Sequence, residues 1–225
     1  MKATLDSQIE LRFGDCDFVL RGDGTAFLPR HNALLVADLH LGKDASFRAA
    51  GIPVPAGINL ALLAQLSLAI EQTAADSVYI LGDMIHDARS MTDEVIDVVL
   101  NWRKQHAATD IILVRGNHDR HVADFPEKWQ LNVQTEVVLE NFELRHIVSP
   151  QTLKQNKHFQ IGGHWHPVVT LGRGADRTRF PCFVVEKRSI TLPAFGPFKG
   201  GFKQQPSAQS RFYPICEGKI WISRS

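Results

Sequence analysis

The sequence predicts a mixed α/β protein built on sheets. Three observations carry that reading. Short uninterrupted apolar runs end in turns rich in Asp and His, helical apolar stripes lie between those runs in the first 130 residues, and an almost unbroken series of strand-like segments follows. The length of 225 residues, with 44% hydrophobic and 22% charged residues, suits an ordinary soluble domain with a sizeable core. Neither a linker nor an internal repeat divides the chain, so residues 1–225 are expected to form one domain.

Ile9–Phe13, Phe18–Arg21 and Thr25–Leu28 read as short strands separated by Gly/Asp turns. Ala33–Ala37 is wholly apolar and ends at Asp38, the pattern of a strand buried on both faces. Residues 42–57 are broken by Gly51, Pro53, Pro55 and Gly57, so part of this stretch is loop. Apolar residues at 58, 62, 63, 66 and 70 make a helical stripe over Ile58–Thr73. Ser77–Leu81 is a second buried strand, ending at Gly82-Asp83. A helix begins near Ser90–Thr92, with Asp93 and Glu94 in its first turn, where the helix dipole favours them, and Val95, Val99 and Trp102 inside. Asp110–Val114 is a third buried strand and runs into Gly116-Asn117-His118-Asp119. From residue 130 the expected strands are Val133–Leu139, Phe142–Val148, His158–Ile161, Phe180–Val185, Ser189–Leu192, Phe212–Ile215 and Ile220–Ile222.

Cys16, Cys182 and Cys216 are odd in number and far apart, and they form no CxxC pair. A disulfide scaffold and a zinc ribbon are therefore disfavoured, and a reducing, cytoplasmic setting fits. No histidine lies beside any of the three in sequence to activate it. The N-terminus lacks the apolar core of a signal peptide, and Ile58–Ile70, the longest apolar-rich stretch, is too short and too polar to span a bilayer. Residues 1–150 hold 13 Lys+Arg against 21 Asp+Glu, whereas residues 151–225 hold 12 against 3. That asymmetry marks either a surface for an anionic partner or merely acidic helices in one half and basic strands in the other, and on charge alone the plainer reading is preferred.

Each of the three buried strands ends in metal-binding residue types: Asp38-Leu39-His40, then Asp83 with His86 and Asp87, then Asn117-His118-Asp119. His146 lies within a later strand, and Gly163-His164-Trp165-His166 follows another. Sites in α/β sheets lie beyond the carboxyl ends of strands, so these clusters are expected to converge on one edge. On extended backbone, D-x-H and H-x-H spacings aim two side chains the same way. Carboxylate, imidazole and amide donors without thiolate suit first-row divalent ions such as Mn²⁺, Fe²⁺ or Zn²⁺. Taken singly, each motif is a surface turn, a helix cap or a core histidine. Their joint occurrence in this order is what carries weight.

That ordered set resembles the calcineurin-like metallophosphoesterases over residues 33 to 170. LLVADLHLGKDASFRAAGIPVP, ILGDMIHD and LPAFGPFKGG are further similar to the bacterial DNA-ligase-associated metallophosphoesterases. The resemblance implies a four-layer α-β-β-α sandwich with two mixed β-sheets flanked by helices. It implies two divalent ions, Mn²⁺ first, with Asp38, His40 and His166 on one, Asn117, His146 and His164 on the other, and Asp83 between them. Together they would activate a water for in-line attack on a phosphodiester. His118 would face the substrate. His86 stands where many members carry an aspartate, a form similar to the double-strand-break-repair nucleases, and it is either catalytic or a support for a ligand. Asp87 or Asp119 is then left to orient His118 in place of that aspartate. DNA is the implied substrate, in functional association with a DNA ligase and a helicase/nuclease system. A small nucleotide or nucleotide-sugar phosphodiester is the alternative. A non-catalytic scaffold binding protein partners is disfavoured because every ligand is present.

Lys43, Arg48, Arg89 and Arg120 follow the ligand strands, and Arg173, Arg177, Arg179, Lys187, Arg188, Lys199 and Lys203 make the last third basic. Both groups are candidate phosphate contacts, although solvated loop charges are the plainer reading. Phe195, Phe198 and Phe202 are either base-stacking platforms or parts of a packed loop.

Overall fold

The structure, a computed structural model, describes residues 4–122, 124–155, 157–172, 174–196, 201–202 and 210–222. Its strands are β1 (Thr4–Asp6), β2 (Gln8–Phe13), β3 (Cys16–Arg21), β4 (Ala26–Leu28), β5 (Ala33–Val36), β6 (Ser77–Ile80), β7 (Asp110–Val114) and β8 (Leu131–Gln134). These are followed by β9 (Val137–Leu139), β10 (Phe142–Leu144), β11 (Phe159–Gly162), β12 (Val168–Leu171), β13 (Thr178–Val185), β14 (Ser189–Thr191), β15 (Arg211–Cys216) and β16 (Lys219–Ile222). The helices are α1 (Lys43–Ala49), α2 (Ile58–Thr73), α3 (Asp93–Gln105) and α4 (Pro150–Gln155).

Two mixed sheets result. One has the order β2-β3-β4-β5-β6-β7-β8, antiparallel as far as β5 and parallel from β5 to β8. The other runs β1-β16-β15-β13-β14-β11-β10-β9, with β12 on β13, and is parallel through β14, β11 and β10. The apolar run 33–37 shows why the layers form. Leu34 and Val36 face α2 and α3, whereas Ala33, Leu35 and Ala37 face the second sheet, so the period-two pleat supplies two cores at once. The inter-sheet core is closed by Phe13, Phe18, Phe142 and Phe183, all buried. On the far side of the second sheet lies the short α4, whose Thr152 donates to Gln160 of β11 (2.7 Å). This is the expected four-layer arrangement, with a thin last layer.

Three expectations need correction. Val133–Leu139 is not one strand: β8 belongs to the first sheet and β9 to the second, and the chain crosses between sheets at residues 135–136. Phe142–Val148 shortens to β10, so His146 follows a strand rather than sitting inside one. Two short helices, α1 and α4, lie outside the expected elements. In α1, Asp44 pairs with Arg48 one turn on (2.8 Å) and accepts from Asn59 (3.0 Å), and Gly51 and Pro53 fall only after the helix ends. In α4, Ser149 Oγ accepts from the Thr152 N–H (3.2 Å) and Pro150 opens the helix, a start pattern present in the sequence. Thr92 caps α3, accepting from the Val95 N–H (3.3 Å), within the start that the acidic first turn indicates. No helix among the described residues is long and apolar enough to cross a membrane.

Candidate metal centre

The ends of β5, β6, β7, β10 and β11 meet at one edge and bring all nine singled-out residues together. Ligand atoms of Asp38, His40 and His166 lie within 4.8 Å of one another, as do those of Asp83, His146 and His164. Asn117 Oδ1 is 2.9 Å from His146 Nε2. The local backbone differs from the expectation. Asp38, His40, Asp83, His164 and His166 all have positive φ, between 40° and 69°, so the D-x-H and H-x-H segments are left-handed turns and not extended strand. Non-glycine residues adopt this region at a cost and gather where function demands it. Leu39 is buried between the two ligands, and the chain re-pairs beyond them, Leu41 with Ile85.

Two glycines hold the turns together. A Cβ on Gly82 (φ +86°) would fall 2.2 Å from His146 Nδ1, and one on Gly116 would fall 2.2 Å from Asp83 Oδ1 and 2.4 Å from its backbone nitrogen. Neither neighbour can withdraw without leaving the site. Gly116→Ala is therefore expected to lower metal content as a ligand substitution does, although it removes no ligand. Elemental analysis of the purified variant checks this, and full metal content would show that Asp83 is not held where it must be.

The electrostatics ask for positive charge. Asp38 and Asp83 are almost wholly buried. Burial pushes the Asp83 carboxyl up, but the hydrogen bond and charge of His146 and the main-chain N–H of His118 outweigh it and hold it at about 2. Burial pulls His146 down, yet the two carboxylates reverse this and push it up. Burial lowers His40 to about 3, so it is neutral with a lone pair to offer. The ring nitrogens converge: His40 Nε2 and His166 Nε2 are 3.3 Å apart, and His164 Nδ1 lies 3.1 Å from His146 Nε2. His146 Nδ1 donates to the Leu81 carbonyl (2.9 Å), which turns Nε2 toward Asp83 Oδ2 at 3.4 Å. Asp38 Oδ1 is buried with no hydrogen bond of its own. An orphaned buried carboxylate oxygen among facing imidazole nitrogens fits a pair of divalent cations.

His118 and His86 stack, with ring centroids 5.3 Å apart, beside His40. His118 Nδ1 donates to the main-chain carbonyl of His86, so no carboxylate orients it. Asp119, fully buried, accepts from Ile85 N–H (3.1 Å) and Gly116 N–H (2.9 Å) and ties two ligand turns together. Asp87 caps the turn at Ser90. Neither hydrogen-bonds the His118 ring, the role the sequence left open to it. Trp165 donates Nε1–H to the Val148 carbonyl (2.9 Å), packs edge-on against His164 and leaves 39% of its surface exposed. It forms one wall of a cavity of about 250 Å³ lined also by Val148, Pro150, Leu153 and Thr191.

The flanking cations divide. Lys43 is half-buried and shifted down by burial, which Asp38 partly offsets. Arg48 is engaged by Asp44, and Arg89 is fully in solvent at 3.7 Å from Asp87. Arg188 donates to the carbonyls of Leu153 (3.0 Å) and His158 (2.9 Å), a structural role. Arg177, Arg179 and Lys187 are exposed. Arg173, Lys199, Lys203 and Phe198 lie outside the described residues. Phe195 is core, and Phe202 is 67% exposed.

Residues 31–183 match the family model of the calcineurin-like phosphoesterases. The chain belongs to that family. It is thus a hydrolytic enzyme of the phosphoesterase type. Pseudomonas putida nuclease MPE is 34% identical over 92% of this chain and 96% of its own, with a TM-score of 0.81. Yfce, a phosphoesterase from E. coli, shares 19% identity over 76% of this chain and 83% of its own, with a TM-score of 0.39. No curated protein sequence matches at a significant level.

Proposed function

We propose that this phosphoesterase hydrolyses phosphodiester bonds in nucleic acid, using two divalent cations, Mn²⁺ first, held by Asp38, His40 and His166 and by Asn117, His146 and His164, with Asp83 shared. The observation that carries it is the pair of converging donor sets on buried carboxylates. The 34% identical nuclease supports nucleic acid over a small nucleotide. Residues 1–225 act as one domain in this reading, since β1 and β16, from opposite ends of the chain, pair in one sheet. A cytoplasmic setting and a role in DNA repair beside a DNA ligase belong to the same proposal.

Cations bound there supply Lewis acidity and lower the pKa of water. The chain's own contribution follows from its geometry. Asp38 and Asp83 supply the negative charge that retains the cations. The His118 N–H steadies Asp83 (2.9 Å), and the His164 N–H steadies Asp38 (2.8 Å). With Nδ1–H anchored on the His86 carbonyl, His118 Nε2 is left to hold or deliver a proton at the leaving oxygen. His86 positions His118 through its main chain. Trp165 offers an aromatic face beside the reacting edge for a base.

His118→Ala protein, metal-loaded, tests the assignment when titrated with single-stranded oligonucleotides across a salt series. Binding is expected to weaken steeply with salt as counterions are released. No binding at low salt, while the parent protein still cleaves a small diester, would favour the nucleotide alternative. Trp165→Ala is expected to raise KM for an oligonucleotide by about 5- to 150-fold, the equivalent of ~1–3 kcal/mol of stacking. The penalty should vanish on an oligonucleotide that is abasic at the stacked position, and an equal penalty on both substrates would remove Trp165 from base contact.

A further inference from the structure

We propose that Cys16, His31 and Glu140 form a second divalent-cation site, separate from the dinuclear centre, that clips the two sheets together and takes a borderline-soft ion such as Zn²⁺. The Cys16 thiol sulfur, a ring nitrogen of His31 and a carboxylate oxygen of Glu140 lie within 4.8 Å of one another. Cys16 opens β3, and His31 ends the single helical turn Pro29–His31 between β4 and β5, so both belong to the first sheet. Glu140 sits in the turn between β9 and β10 of the second sheet. Residues remote in sequence therefore meet across the sandwich, and the Cys16 thiol is buried and in no disulfide.

A second observation points to a ligand. His31 Nε2 is buried and has no hydrogen-bond partner. An imidazole nitrogen in that state has either a desolvation cost or a missing partner. Thiolate, imidazole and carboxylate together are a zinc donor set with one position left for water. The cluster already draws a cation: Arg30 Nη2 is 3.2 Å from Glu140 Oε1, and Nη1 is 4.0 Å from the Cys16 sulfur. Both members of that ion pair are largely exposed, so it contributes little and can yield to a metal. On binding, the Cys16 thiol gives its proton to solvent as the sulfur–metal bond forms.

The position sets this cluster apart from the reacting edge. His31 precedes β5 and Glu140 precedes β10, whereas Asp38 and His146 follow those same strands. The cluster lies at the opposite end of the strands from the dinuclear centre. It also differs in chemistry, because no cysteine is among the dinuclear donors, and that difference supplies the assay.

The reduced protein is titrated with Co²⁺ and followed by absorption. A thiolate-to-cobalt charge-transfer band in the near ultraviolet is expected, which the dinuclear donors cannot produce. Cys16→Ser should abolish the band and leave hydrolysis of a small phosphodiester unchanged, whereas Cys216→Ser should keep it. Arg30→Met, which removes the competing cation, should tighten the Co²⁺ affinity read from the band several-fold. Should Cys16→Ser fail to fold, Glu140→Gln and His31→Gln must each weaken the band. Co²⁺ uptake without the band, or a band that survives Cys16→Ser, overturns the proposal and leaves the phosphoesterase assignment untouched.

Discussion

His118→Ala is expected to keep its full complement of metal and to lose about 10²–10⁴-fold in turnover. The expectation rests on where the ring's two nitrogens go. Nδ1 is committed to the His86 carbonyl, and His118 belongs to neither of the two clusters that carry a carboxylate, its ring nitrogen grouping with those of His40 and His86 instead. Its main-chain N–H, which survives the substitution, continues to hold Asp83. Metal content by elemental analysis and turnover on a phosphodiester are measured on the same preparation. Loss of metal together with turnover would make His118 a ligand.

Asp83→Asn is expected to lower the occupancy of both cations, by more than the ~10–100-fold in affinity typical of residues that only support a ligand. Asp83 is 2% exposed, belongs to one donor cluster, and its charge acts on His40 of the other. The amide keeps an acceptor for the His118 N–H and removes only the charge, so the fold should persist. Asn117→Ala provides the contrast, because its carbonyl oxygen reaches only the His146 side, and one cation should be weakened more than the other. Two ions retained in Asp83→Asn would refute the shared role.

Much of the fold was legible because burial and pleat write directly into residue order. Ala33–Val36, Ser77–Ile80 and Asp110–Val114 are dominated by apolar residues, and their expected bounds agree to within one residue, as do those of α2 from its stripe. What escaped depends on partners remote in sequence. Leu131–Gln134 and Val137–Leu139 carry one continuous apolar pattern, and only their neighbours, β7 and β10, assign them to different sheets. The site residues were legible as types in order, but their left-handed backbone was not, since Asp and His at positive φ follow no local pattern. Asp87 and Asp119 are the helpers of His118 that a sequence suggests, because side chains are visible in it. A backbone carbonyl, which every residue carries, is not. Cys16 and His31 are brought together by the turn between β4 and β5.

The central claim is that the converging carboxylates and imidazoles hold cations needed to cleave nucleic acid. The measurement is cleavage of a single-stranded DNA oligonucleotide by wild-type protein stripped with chelator and then resupplied with Mn²⁺, with Asp83→Asn carried in parallel. The account predicts no cleavage after stripping, recovery on adding Mn²⁺, and little recovery in Asp83→Asn. Undiminished cleavage by the stripped protein, or equal recovery in Asp83→Asn, would contradict it.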